Sequence, residues 1–363
     1  MLSYPFADLP APGALQEVAD GVYWLRMPLP MALDHINLYL LEDDDGWWVI
    51  DSGMDVGPTR DLWEQIFEQH LKGKPIKAVL STHWHPDHTG LAGWLCDRWR
   101  VPFYMTQGEY LTGLVFSRAE SDHFGWTNEE HQVRLGRGQK GIDASRRSMG
   151  GIRRISHPMP TSFRRLDEGS RLTINGRHWR VVIGKGHSPE HACLYCDSLN
   201  VLISGDQVIP RITSNISVSG HEPEGNPLKA WLLSLEHFLE ALPADALVLP
   251  AHNTPFHGLH YRLRYLIEHH EDHLIALEEA CSKQQATAVE LLPVLFKREL
   301  DEQHIGLAVG ECVAHLNYLL QRGQLERSLD EAGCYRYRSV DDTLPLRLRK
   351  RRHIAADAEP IQV

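Results

Sequence analysis

Histidines and carboxylates are concentrated in one short segment of the sequence. Residues 83–88 read His-Trp-His-Pro-Asp-His, directly after the apolar run IKAVLST. This HxHxDH spacing lets neutral imidazoles and an ionised carboxylate converge on one metal ion. The chain has 22 histidines in 363 residues, so chance explains an isolated one such as His70 or His131. It does not explain three histidines and an aspartate within six residues.

Three further residues of ligand type follow apolar runs that are typical of buried strands. His187 follows RVVIGKG, Asp206 follows VLISG and His252 follows ALVLPA. The ends of strands in an α/β sheet share one edge, where such sheets usually place their chemistry. We therefore expect one site that joins the HxHxDH segment to these residues. The histidines expected to act there are His83, His85, His88, His187 and His252.

The elements that must position these residues alternate between strand-like and helix-like patterns. Short β-rich runs occupy residues 20–52, and the helical stretch TRDLWEQIFEQHLKG ends at Gly73. IKAVLST is followed by the helix-like GLAGWLCDRWR and the strand-like VPFYMT. Further strand-like runs lead to a helix, NPLKAWLLSLEHFLEAL. This alternation predicts an α/β layer structure over residues 1–261.

The pattern changes after residue 261. Residues 262–345 predict three helices and a hairpin, LERSLDEAGCYRYRS, in the order found in a winged helix. We therefore predict a small winged-helix-like helical domain over 262–345. A basic, flexible tail is predicted over 346–363. Its basic run consists of Arg347, Arg349, Lys350, Arg351 and Arg352.

The ligand pattern resembles that of the metallo-β-lactamase fold superfamily over about residues 20–260. The resemblance implies a four-layer αββα sandwich and two divalent metal ions, with zinc expected and iron or manganese as alternatives. It also implies two ligand sets joined by one carboxylate. The first set is His83, His85 and His187, the second is Asp87, His88 and His252, and the bridge is Asp206.

Three smaller features refine this resemblance. The turn Asp51-Ser52-Gly53 matches the family's turn before the first helix, so Asp51 is expected to support a ligand. The loop GHSPEH has Glu190 where the family usually has glycine, and PAHN stands in place of PGHG around His252. Neither change removes a ligand. Because Asp206 takes the place of the cysteine common in zinc β-lactamases, β-lactam hydrolysis is not expected.

The resemblance implies a hydrolase in which a hydroxide bridging the two metals attacks an ester- or thioester-type bond. Asp87 is expected to orient this nucleophile as well as to bind metal. Three alternatives stay open. They are an endoribonuclease of the same fold, a sulfur dioxygenase that uses one iron, and a non-catalytic binding protein that retains a metal site.

Charge is unevenly distributed along the chain. The net charge is −11, yet the irregular stretch 113–165 contains ten Lys+Arg against five Asp+Glu. Because arginines near a cleft attract phosphate or carboxylate groups, we expect this basic segment to act as a lid and the substrate to be a small anion. Its candidate arginines are Arg118, Arg134, Arg146, Arg147, Arg153 and Arg154. Separate candidates for substrate contact are Arg211, Asn215 and Tyr104.

The remaining expectations concern partners and location. Residues 262–345 contain nine Lys+Arg against fifteen Asp+Glu, a poor balance for binding nucleic acid, so a packing role or a homodimer interface is expected. No run approaches the roughly 18 apolar residues of a membrane span. The N-terminal sequence lacks the features of a signal peptide, and the six cysteines show no disulfide framework. We therefore expect a cytoplasmic protein.

Overall fold

The computed structural model describes residues 1–31, 33–119, 124–148, 150–297 and 299–341. The chain divides into two units, which are treated separately. The first unit comprises Met1–Glu120, Met149–Ser214 and Leu233–Arg264, and the second comprises Ser121–Ser148, Asn215–Leu232 and Tyr265–Val363. The predicted domain boundaries at 261 and 345 stay a prediction, and the basic tail 346–363 lies outside the described residues.

The first unit is built on two β-sheets. The larger has seven strands in sequence order, antiparallel from β1 to β4 and parallel from β4 to β7. Its strands are β1 (Gln16–Ala19), β2 (Val22–Pro28), β3 (His35–Asp43), β4 (Gly46–Ile50), β5 (Ile76–Leu80), β6 (Phe103–Thr106) and β7 (Arg164–Leu166). The smaller sheet has the order β12-β11-β10-β9-β8. Its strands are β8 (Arg171–Ile174), β9 (Arg177–Gly184), β10 (His191–Cys196), β11 (Val201–Gly205) and β12 (Leu247–Pro250).

Alternation along the strands creates two cores, because successive side chains point to opposite faces of a sheet. In β3, Leu40 belongs to a core shared with the helices α1 (Thr59–Gln69) and α3 (Ala92–Trp99). Its neighbour Leu41 belongs to a core shared with the smaller sheet. Ser234 of α8 (Pro227–Ala241) accepts a hydrogen bond from the backbone N–H of Lys185, which directly follows β9 of that sheet. The predicted α/β class and αββα sandwich are confirmed.

The basic segment 113–165 is more regular than its sequence predicts. It includes the last part of α4 (Gln107–Arg118), then α5 (Trp126–Arg134), α6 (Gly138–Ser148) and α7 (Gly151–Arg154). Only Gly141 and Ile142 are buried in α6. The apolar face of this helix is therefore too sparse to produce a clear helical period in the sequence.

The second unit contains a helical region followed by a hairpin, in the predicted order. The elements are α9 (Leu259–Lys283), which begins in the first unit, α10 (Ala288–Leu295), α11 (Glu302–Gln321), β13 (Leu325–Leu329) and β14 (Tyr335–Ser339). The helix α5 belongs to the same unit, since Arg134 donates a hydrogen bond to the carbonyl oxygen of Gly333. The winged-helix assignment stays a prediction. None of the helices in the described ranges has both the length and the apolar character of a membrane span.

A capping box begins α10 and gives the first prediction. Thr287 Oγ1 accepts a hydrogen bond from the Glu290 N–H at 3.2 Å, and Glu290 Oε2 accepts one from the Thr287 N–H at 2.8 Å. Thr287→Ala removes one acceptor and should lower the free energy of unfolding by about 1 kcal/mol. Denaturant titration measures the change. Thr287→Ser keeps the hydroxyl and is the control; equal losses in both variants would contradict the capping role.

Candidate metal centre

The HxHxDH segment lies between a strand and a short helix. It follows β5, and α2 (Pro86–Thr89) begins within it. Pro86 suits the first helical position because its fixed φ matches the helix and its missing N–H is not needed there. His83 and His85 therefore lie in a loop, whereas Asp87 and His88 lie in the single turn of α2.

The other predicted residues also follow strand ends. His187 lies between β9 and β10, Asp206 directly follows β11, and His252 follows β12. Gly205, immediately before Asp206, has a φ of +50°, and a Cβ there would lie 2.6 Å from the ring of His191. This position therefore requires glycine, and the close approach it permits brings Asp206 beside the histidines.

The structure brings the seven predicted ligands together in two groups. Within each group, one possible donor atom per residue lies within 4.8 Å of the others. The first group is His83, His85, His187 and Asp206, and the second is Asp87, His88 and His252. These are the sets expected from the sequence, with Asp206 counted in the first. Their assignment as metal ligands stays a prediction.

The carboxylate of Asp206 faces both groups. Its Oδ2 lies 3.4 Å from His187 Nε2 and 3.7 Å from His88 Nε2, and its Oδ1 lies 3.3 Å from His252 Nε2. Asp87 Oδ2 lies 3.5 Å from His252 Nε2. Asp206 therefore approaches residues of both groups, and its role as a bridge stays a prediction.

The donor atoms fit a pair of divalent cations. His88 Nε2 and Asp206 Oδ1 are buried and make no hydrogen bond within the described part of the chain. Buried polar atoms are almost always satisfied, so such a pair in one place calls for a further partner. Imidazole and carboxylate donors suit zinc, iron and manganese. The residues present therefore fit the group that the resemblance implies.

The protonation of these residues differs between the two groups. Burial opposes ionisation of Asp87, but His88 and the hydrogen bond from His252 outweigh it and lower the pKa of Asp87 to about 2. Burial, assisted by His187, lowers the pKa of His85 to about 3. Burial likewise lowers the pKa of His83 well below its usual value. Burial opposes protonation of His88 and His252, but Asp51 outweighs it at His88 and raises its pKa, and Asp206 raises the pKa of His252 to about 10. A metal would therefore displace a proton from each of these two rings.

Two imidazoles of the second group are oriented by hydrogen bonds on the ring side away from the site. His88 Nδ1 lies 2.8 Å from Asp51 Oδ2, and His252 Nδ1 lies 3.0 Å from the carbonyl oxygen of His35. Asp51 has a φ of +61° and is itself held by Thr82, whose backbone N–H donates to its Oδ1 at 2.7 Å. Because these contacts engage Nδ1 of each ring, Nε2 would be the nitrogen that faces a metal.

Sequence reasoning gave no role to three residues that support the site. Thr82 and His35 act as described above. His191 is fully buried, stacks on His83 with ring centroids 4.7 Å apart, and accepts a hydrogen bond from the Asp206 N–H at 3.1 Å. His191 ends the loop GHSPEH, four positions after His187. That short spacing was the signal in the sequence that His191 lies near the site.

The substrate candidates have other partners. Tyr104 packs against Trp48 with ring centroids 5.0 Å apart. The guanidinium of Arg211 lies 5.5 Å from the ring of Tyr4. Asn215 falls in the second unit and accepts a hydrogen bond from Ser217 Oγ at 2.8 Å. In the described ranges, Tyr104 and Arg211 form no hydrogen bond or ion pair with the seven ligand candidates. Their role as substrate contacts stays a prediction.

The arginines of the basic segment divide between the units. Arg118, Arg153 and Arg154 lie in the first unit. Arg134 and Arg146 lie in the second, where they pair with Glu130 and Glu129. These two guanidinium groups are thus already matched by carboxylates within their own unit.

Comparisons with known proteins agree with this geometry. The family model described as the metallo-beta-lactamase superfamily matches residues 32–252. A second, described as a metallo-beta-lactamase-like C-terminal domain, matches residues 274–340. The solved structure of a beta-lactamase domain protein from Burkholderia ambifaria is 43% identical, with a TM-score of 0.83. The match covers 93% of this chain and 97% of that one.

Two curated relatives extend the comparison. A probable metallo-hydrolase of Bacillus subtilis is 26% identical over 229 residues, which are 63% of this chain and 89% of the relative. An atrochrysone carboxyl ACP thioesterase of Aspergillus fumigatus is 23% identical over 304 residues. That match covers 78% of this chain and 57% of the relative.

Proposed function

Because this chain belongs to the metallo-beta-lactamase superfamily and is a metal-dependent hydrolase, we propose that it cleaves an ester- or thioester-type bond with two divalent ions. The observation that carries the proposal is the pair of donor groups, with Asp206 of the first group 3.3 Å from His252 of the second. An enzyme that used one metal would need only one group.

The protein side of this proposal can be stated residue by residue. The first group would hold one ion and the second group the other, with zinc as the expected metal. Bound ions would lower the pKa of a water molecule towards neutrality and polarise a carbonyl oxygen. Asp87 would also accept a hydrogen bond from the attacking water and fix its direction. Asp51 and His35 would hold His88 and His252 in the binding tautomer.

The proposed substrate is a small anionic ester or thioester. The name of the Aspergillus fumigatus relative supports a thioester. The positive charge of the basic segment supports an anion, and in the first unit it includes Arg118 and the exposed pair Arg153 and Arg154. We propose that these arginines attract the substrate's charged portion.

Matched substrates test the bond and the charge together. Metal-reconstituted protein would be given a coenzyme A thioester and the neutral N-acetylcysteamine thioester of the same acyl group. We expect both to be hydrolysed, with kcat/KM about 10-fold higher for the anion, because two or three exposed charge contacts supply about 1.4 kcal/mol. R153E/R154E should remove that advantage without affecting the neutral thioester. Equal kcat/KM values in the unmodified protein would rule out anion recognition.

The alternatives give different results in the same preparation. Cleavage of single-stranded RNA without thioester turnover would favour the endoribonuclease. Oxygen consumption with a persulfide and one iron per chain would favour the sulfur dioxygenase. Two metals per chain without turnover of any ester, thioester, lactone or phosphodiester would favour the binding protein.

A further inference from the structure

Glu109 is a buried carboxylate that has no part in the proposed ligand set. It lies in the first turn of α4 and is fully buried. Its Oε1 accepts hydrogen bonds from Ser188 Oγ and from the Glu190 N–H, both at 2.6 Å. Its Oε2 accepts one from the Trp84 N–H at 3.0 Å. Both oxygens are therefore engaged by donors from elsewhere in the chain.

These donors lie in the two loops that carry the histidines of the first group. Trp84 stands between His83 and His85, and Ser188 directly follows His187. One carboxylate therefore links the loop after β5 to the loop between β9 and β10. Three hydrogen bonds converge on this one buried side chain, so the link resists separation of the loops.

Glu190 adds a second connection, in which the His187 loop supplies the acceptors and the start of α4 supplies the donors. Its Oε2 accepts a hydrogen bond from the Gly108 N–H at 2.7 Å, and its carbonyl oxygen accepts one from Thr106 Oγ1 at 2.8 Å. The first N–H groups of a helix have no partner within the helix. Thr106 provides no side-chain cap for α4, and Glu190 supplies an acceptor instead. A Cβ at Gly108 would lie 2.9 Å from Glu190 Oε2, so this approach depends on glycine.

The unusual glutamate of GHSPEH thus has a structural reason. Glycine at position 190 would supply the backbone N–H but no carboxylate for α4. We call Glu109 and Glu190 the carboxylate brace. It binds the start of α4 to the His187 loop in both directions and reaches the His83–His85 loop through Trp84.

We propose that Glu109 is a positioning residue that keeps the His83–His85 loop and the His187 loop at the separation needed by the first metal. This inference depends on the proposed function only in that the first group binds a metal. The second group is held by different contacts, from Asp51 to His88 and from His35 to His252. Loss of the brace should therefore weaken one metal and spare the other.

Glu109→Gln is the direct test. One oxygen of the amide can still accept hydrogen bonds, but its NH₂ group must face either Trp84 or the Ser188–Glu190 pair, so one loop loses its acceptor. Zinc binding would be measured by competition with a chromophoric chelator, without substrate. We expect one of two dissociation constants to rise about 10–100-fold, the usual cost of losing an outer partner of a ligand. The other should stay unchanged.

Three further variants make the result specific. His85→Ala should weaken the same binding step, which assigns that step to the first group. Ser188→Ala removes one hydrogen-bond donor to Glu109 and should weaken the same zinc-binding step by a smaller factor. The inference therefore stays testable if Glu109→Gln fails to fold. Glu311→Gln is the matched control. Burial raises the pKa of Glu311 to about 7, as it does for Glu109, but Glu311 lies in the second unit and should affect neither step.

Two outcomes would overturn the inference. One is equal weakening of both metals in Glu109→Gln together with a lower Tm of the metal-free protein, which would make Glu109 a folding residue. The other is no change in either step. The proposed function can fail separately from this inference. If Glu109→Gln weakens only one zinc-binding step but the protein hydrolyses no ester or thioester, the positioning role of Glu109 holds and the proposed function fails. If the protein hydrolyses the thioester but Glu109→Gln changes neither step, only the proposed function holds.

Discussion

Asp206→Asn is expected to reduce kcat/KM by more than about 100-fold, since loss of an outer partner of a metal ligand already costs about 10–100-fold. The substitution keeps the shape of the side chain and removes its negative charge. Asp206 faces His187, His88 and His252 at 3.3–3.7 Å. No other carboxylate of the described residues approaches both groups in this way. Metal content after dialysis should fall from two ions per chain to one or fewer, and elemental analysis measures it alongside turnover.

The control for this prediction is Asp197→Asn. Asp197 is exposed in the turn between β10 and β11. The strand β11 then ends just before Asp206. The same chemical change there should leave turnover and metal content unaltered. If Asp206→Asn retained full activity, or lost activity while keeping two metals, the bridging role would have to be abandoned. His83→Ala should behave like Asp206→Asn because it removes a ligand of the first group.

Asp51→Asn is expected to lower kcat/KM by about 10–100-fold, mainly through His88. The carboxylate of Asp51 accepts a hydrogen bond from His88 Nδ1 and two from Thr82. An asparagine can turn its NH₂ group towards His88, which favours the tautomer with its proton on Nε2. That nitrogen would then be unable to bind a metal. The zinc competition curve should show weaker binding at the step that His85→Ala leaves unchanged.

Asp51→Asn should leave the backbone conformation unchanged. Asp51 has a φ of +61°, a backbone conformation that asparagine adopts more readily than most residues. Asp51→Asn should therefore keep the turn, and a near-normal Tm would separate the effect on His88 from a loss of folding. Asp44→Asn, in an exposed hairpin position, serves as the control. A Tm loss large enough to explain the missing activity would contradict the orienting role.

The sequence could predict that these seven residues come together, because their signal is local. His83, His85, Asp87 and His88 are close in sequence, and each of the other three residues follows an apolar strand that can be recognised from its own residues. The α/β class followed from the same alternation. Parallel neighbours such as β11 and β12 then bring strand ends to one edge without further information.

The supporting residues could not be predicted because their signal depends on tertiary contacts. Glu109 is one acidic residue in an ordinary helical stretch, and its donors lie 25 and about 80 positions away. The carbonyl oxygen of His35 reaches His252 across 217 positions. Neither contact leaves a periodic pattern in the sequence. The helices of the basic segment could not be predicted for a different reason, because they bury few apolar side chains.

The interleaved composition of the second unit affects how the protein is made. Its helices α5 and α6 leave the ribosome long before the segments they pack against, because Arg134 bonds to Gly333 and Gly136 lies against Thr287. The second unit therefore cannot close until residues 287–339 have been synthesised. Until then the surfaces of α5 and α6 that pack in the finished unit stay uncovered, and such exposed surface is prone to aggregation.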